Sequence, residues 1–66
     1  MSIGRAEELR ERLAGMSEEL ADLATDLLRM ALDSHEEHER ARLAALEKRV
    51  TKARRAVERA VGELAG

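Results

Sequence analysis

The sequence predicts an all-α fold, an antiparallel, coiled-coil-like helical hairpin that dimerises into a four-helix bundle. Three observations carry that expectation. Apolar residues recur in steps of three and four at Ala6, Leu9, Leu13, Met16, Leu20, Leu23, Leu27 and Met30. They recur again at Leu43, Leu46, Val50, Ala53, Val57, Ala60 and Leu64. This is the a/d spacing of a coiled-coil seam, held for about three heptads in each run. The two runs are out of phase. The first, continued, would place its a positions at Ser34 and Ala41, whereas the second has them at Leu43 and Val50, a slip of two residues. Facing residues of antiparallel helices must also keep a nearly constant number sum. Leu27 with Leu43, Leu23 with Leu46, Leu20 with Val50, Met16 with Ala53, Leu13 with Val57, Leu9 with Ala60 and Ala6 with Leu64 all add to 69 or 70.

The first helix is expected over about residues 3–32. Ala, Leu, Glu and Arg dominate it and Pro is absent, so propensity and pattern agree. Gly15 offers a break at Gly15-Met16-Ser17, but Leu13 and Met16 keep phase across it. An unbroken helix is therefore expected, at a glycine cost of about 1 kcal/mol relative to Ala. The turn is placed at about 33–36, where Ser34-His35-Glu36-Glu37 fits the S-x-x-E capping box. Ser2, Ser17 and Ser34 all read as caps. The second helix is expected over about 35–64, which makes the whole chain, 1–66, one helical-hairpin domain.

Within that hairpin the intramolecular seam is assigned to both the a and d rows: Leu9, Leu13, Met16, Leu20, Leu23 and Leu27 against Leu43, Leu46, Val50, Ala53, Val57, Ala60 and Leu64. The g flank brings opposite charges together, Asp26 near Arg42, Glu19 near Arg49 and Arg5 near Glu63. Exposed pairs of this kind set orientation more than stability, at about 0 to 1 kcal/mol each. The opposite flank is small and apolar, with Ala14, Ala21, Ala24, Leu28 and Ala31 on one helix and Ala44, Val61 and Ala65 on the other. An isolated hairpin would leave that flank wet. Ala21, Ala24, Leu28, Ala31, Ala44 and Val61 are accordingly assigned to an oligomer interface.

Length and composition restrict what else the chain can be. Below roughly 70 to 80 residues a single core rarely supplies more than about 3 to 5 kcal/mol, so a staple or a partner is expected. With no Cys among its 66 residues there is no disulfide or thiolate chemistry. Oligomerisation is the remaining route. The absence of Phe, Tyr and Trp removes the stacking platforms of single-strand nucleic-acid binders and the aromatic anchors of many ligand pockets. No basic segment leads into an apolar stretch at the N-terminus, and no run of about 18 apolar residues occurs. A cytoplasmic protein that neither spans nor binds membrane is expected.

Two clusters are candidates for chemistry. Lys48, Lys52, Arg55 and Arg59 occupy c and f positions of the second helix, and from Arg40 to Arg59 there are eight basic and two acidic residues. Such a row could follow a phosphate backbone and would give salt-dependent binding. The first helix, however, is acidic at Glu11, Glu18 and Asp22, and the formal net charge is -2, which favours an acidic protein partner over nucleic acid. His35, His38 and Glu39 share a helical face at the turn and are a candidate divalent-metal site. The reading preferred here is a solvated acidic helix N-terminus, with Glu complementing the dipole and no cofactor bound. For catalysis there is neither a Ser, His and Asp constellation nor a Gly-rich phosphate loop.

In length and layout the chain resembles the Rop family of dimeric four-helix bundles that bind paired RNA loops. The resemblance is architectural. That family's exposed RNA-contacting Phe has no counterpart in a chain without aromatics, so its function is not carried over. The sequence thus points to a non-catalytic, self-associating assembly or adaptor protein with a further, unidentified protein partner. A nucleic-acid-binding hairpin dimer is the first alternative and metal binding at the turn the second.

Overall fold

A computed structural model describes residues 3–66. It contains α1, Ile3–Asp33, and α2, Glu37–Ala65, which pack against each other as a hairpin, and no strand among the described residues. Ser2, expected as a cap, lies outside the described residues. The helices are 31 and 29 residues long, and the hairpin measures 52 × 14 × 13 Å. α1 passes through Gly15 without interruption, as the unbroken heptad demands.

The connection is residues 34–36, and its capping differs from the capping box expected at Ser34. Glu36 is the N-cap of α2, with extended backbone at φ -101 and ψ 120. Its carboxylate accepts from the His38 and Glu39 backbone N–H groups, both at 2.8 Å. One side chain thereby satisfies two of the four amides that a helix start leaves unpaired. Ser34 instead terminates α1, its N–H donating to the Met30 carbonyl at 3.1 Å. Its hydroxyl bridges to the backbone of Glu36 at 3.3 Å. The second helix therefore begins two residues later than expected. Ser17 is no cap either: it lies half-buried inside α1.

The core sits towards the turn. Ala24, Leu27, Leu43 and Val50 are buried, with Leu20 and Ala31 packed against them. Along α1 the residues that face α2 are Ala6, Arg10, Leu13, Ser17, Leu20, Ala24, Leu27 and Ala31, all buried or half-buried. These are the a and e positions of the heptad, not a and d. On α2 the same holds for Leu43, Glu47, Val50, Arg54, Val57 and Val61, with Ala44, Thr51 and Ala60 half-buried beside them. Both helices are therefore rotated from the expected seam by about one heptad place, roughly 50°. Small residues at Ala24, Ala31, Ala21 and Ala44 line this side, and a contact built on them lets the helices close up.

Candidate functional site

The rotation exchanges the roles of the two apolar stripes. Of the residues expected in the intramolecular seam, Leu27, Leu43 and Val50 are buried, and Leu13, Leu20, Val57 and Ala60 are half-buried. The rest are not inside. Leu9, Met16, Leu23, Leu46, Ala53 and Leu64 are exposed, with Met16 at 51%, Leu23 at 43% and Leu46 at 44% of their full accessibility. The set expected to form an oligomer interface moves the opposite way. Ala24 is buried in the hairpin, and Ala21, Ala31, Ala44 and Val61 are half-buried along it. Only Leu28 of that set stays outside, at 48%.

The exposed d residues form one face. In an antiparallel pair, positions of the same heptad letter lie on the same side of the contact plane. The structure displays this on the b/e side, where Ala14, Ser17 and Glu18 of α1 share a shallow hollow with Glu58 and Val61 of α2. The d rows then lie together on the opposite side: Leu9, Met16, Leu23 and Met30 from α1, Leu46 and Ala53 from α2. Met16, Leu20 and Leu23 line an open apolar hollow there, with Glu19 at its edge. The row from Leu9 to Met30 is about 32 Å long at 1.5 Å per residue.

This exposure runs against the economy of a free-standing hairpin. Burying a Leu or Met side chain contributes about 1.5 to 3 kcal/mol, and an Ala considerably less. Yet the chain encloses Ala24 while leaving Leu23 and Met16 wet. The surface is also large for the mass. A compact monomer of 7.4 kDa exposes about 4,200 Å², whereas this chain exposes 5282 Å². Its radius of gyration is 15.4 Å, against about 11 Å for a compact domain of this length.

The charged flanks do not form the cross-helix pairs expected of them. Asp26 Oδ1 lies 3.8 Å from Arg29 Nη1, and Arg42 Nε lies 3.9 Å from Glu39 Oε2. Every ion pair among the described residues is within one helix, including Arg12 with Glu8 at 2.9 Å and Arg40 with Glu37 at 2.6 Å. The cause is the rotation. With a and e facing inward, Glu19, Asp26, Arg42, Arg49 and Glu63 are carried to the outer edge of the d face, all exposed.

The remaining candidates are scattered. Lys48, Lys52, Arg55 and Arg59 are exposed, and none is in an ion pair among the described residues. His35 lies in the connection and His38 in the first turn of α2, both exposed, while Glu39 is half-buried. No group of three His, Cys, Asp or Glu side chains placed to hold a metal exists among the described residues. Arg54, which sequence patterning did not single out, is half-buried between the helices, and its Nε is enclosed without a partner. No helix among the described residues is long and apolar enough to cross a membrane. No protein-family model, curated protein or solved structure matches the chain.

Proposed function

We propose that this chain is a non-catalytic assembly module that self-associates through its d face and works by protein–protein contact. One observation carries the reading: the hairpin buries Ala24 with Leu27, Leu43 and Val50 and leaves a row of Leu9, Met16, Leu23 and Met30 exposed. Four or five half-exposed large side chains on one face, each gaining roughly 1 kcal/mol when covered, give a partner several kcal/mol to bind with. That is the help a chain of this size requires. The opposite flank offers less, because its large exposed residues, Leu28 and Leu32 near the turn and Ile3 at the open end, do not form a row along the hairpin.

The test is solution mass with and without the row. The wild-type chain is expected to sediment as an oligomer at micromolar concentration, and Leu23→Glu to become monomeric and lose helicity, since folding and association are linked. A wild-type chain that stays monomeric and fully helical under those conditions sinks the reading. A second reading, anion binding along Lys48, Lys52, Arg55 and Arg59, draws on their exposure and lack of ion pairs. It would appear as RNA or DNA binding that weakens steeply with salt and vanishes when all four become Gln.

A further inference from the structure

We infer that the d face is covered by a second copy of this chain whose two-fold axis runs parallel to the helices, so that both turns lie at the same end. The inference rests on the self-association proposed above and adds its geometry. Two face-to-face arrangements preserve antiparallel packing between every pair of neighbouring helices. In one, turns together, α1 lies over α2 of the second copy. In the other, turns apart, α1 lies over α1 and α2 over α2.

Side-chain size separates them. With the turns together, residues meet at the level they already occupy in the hairpin, so Leu9 opposes Ala60, Met16 opposes Ala53 and Leu23 opposes Leu46 of the second copy. Both contacts of the dimer are then alike, and large residues mostly meet small ones. With the turns apart, Leu9 meets Met30 and Met16 meets Leu23 on the α1 side, and the same register sets Leu46 against Ala53 on the α2 side. The α1 contact is then made of large residues alone, and the two contacts differ in width, because interaxial distance follows the side chains at the contact.

Charge separates them again. The g row of α1 reads Arg5, Arg12, Glu19, Asp26, Asp33, and that of α2 reads Arg42, Arg49, Ala56, Glu63. With the turns together, Arg5 faces Glu63, Glu19 faces Arg49 and Asp26 faces Arg42 of the second copy, without a like-charge opposition among these pairs. With the turns apart, Arg12 still faces Asp26, but Glu19 faces Glu19. The pairs that the hairpin does not form internally are thus the ones the turns-together dimer forms between copies.

Two charge-reversed variants test this, one with Glu19→Arg and Asp26→Arg, the other with Arg42→Glu and Arg49→Glu. All four positions are exposed, and each variant keeps its helices. Each alone is expected to dimerise at least about tenfold more weakly than wild type, from repulsion at both contacts, and an equimolar mixture to recover the loss. Variants that weaken separately and do not recover on mixing overturn the geometry, whereas recovery places these charges at the contact and leaves the relative position of the turns to a second measurement. A spin label at Glu37→Cys, in a chain with no other Cys, gives an independent reading. Labels within about 25 Å, the diagonal of a bundle with its probes, support the turns-together dimer. A separation near the 52 Å length of the hairpin overturns it while leaving self-association intact. A monomeric wild type overturns both, and a dimer abolished by Leu28→Glu but untouched by the charge reversals moves the contact to the other face.

Discussion

The half of the hairpin next to the turn and the half at its open end share the same helices and the same heptad, yet they are built differently. Near the turn, the inward e positions of α1 are Ala24 and Ala31, and the a positions are Leu20, Leu27, Leu43 and Val50. All four buried residues are there. Glu36 caps α2 with two 2.8 Å hydrogen bonds, and Glu37 and Glu39 in its first turn complement the dipole. At the open end the inward e positions carry Arg10, Ser17 and Arg54 beside Val61, and no residue beyond Leu20 on α1 or Val50 on α2 is fully buried. Gly15 and Gly62 interrupt the good helix formers there as well. The difference teaches where stability is local and where it is borrowed. The turn half holds a small dry core of its own, whereas the open half packs Ala6, Leu13, Val57 and Val61 without fully burying any of them, so the covered d face proposed above would matter more to it.

The sharpest way to break the comparison is to delete one a residue from each half. Leu27 is 5% exposed, and Leu27→Ala is expected to cost about 2 to 5 kcal/mol. Leu13 occupies the equivalent heptad place in the open half but is only half-buried, so Leu13→Ala is expected to cost less than half as much. Urea unfolding at one fixed protein concentration compares them, the concentration being held because the association proposed above would contribute to both. Equal losses would mean that the two halves form one uniform core.

Leu64 apart, the a row behaves in the structure as the heptad reads it, while the d row, Ala60 apart, does not, and the reason is physical. A heptad marks two apolar rows on a helix and says nothing about which neighbour each row meets. In an isolated pair both rows turn inward, whereas a helix with two neighbours spends one row on each. The signal that separates the cases was present in the e positions, where Ala24, Ala31 and Ser17 are small enough for the helices to close on. The same small residues read equally well as a flank awaiting a partner. The turn was legible to within a residue or two from the phase slip. Its cap was not, because Ser34 and Glu36 both offer side-chain oxygens to a helix start, and the choice depends on where the chain finishes leaving α1. Arg54 was illegible for the same reason as the d row: an e position becomes interior only after the rotation.

A smaller effect follows from the glycines of the open half. Gly15 and Gly62 lie inside helices, and a Cβ added to either would meet nothing within 4 Å. Replacement by Ala therefore recovers helix propensity without a clash, worth about 1 kcal/mol per site. Because both sites are in the weaker half, hydrogen exchange should slow there more than near the turn. Protection that rises equally in both halves would show that the open end does not unfold separately.

The smallest expected effect belongs to Leu28→Glu. Leu28 lies in the turn half but points away from α2 on the b side, 48% exposed, beside Ala21 and Ala44, which the hairpin already half-buries. A charge placed there meets water, so the change in stability is expected to stay within about 0.5 kcal/mol, as for surface sites generally. Solution mass should be unchanged. Leu23→Glu, five residues away and similarly exposed, is expected to abolish association, because it faces the d side. The two substitutions add the same group to the same helix at nearly the same exposure, and they differ only in the face they present. If Leu28→Glu dissociates the protein and Leu23→Glu does not, the interface lies on the alanine flank, and the dryness of the turn half comes from that contact instead of from its own core.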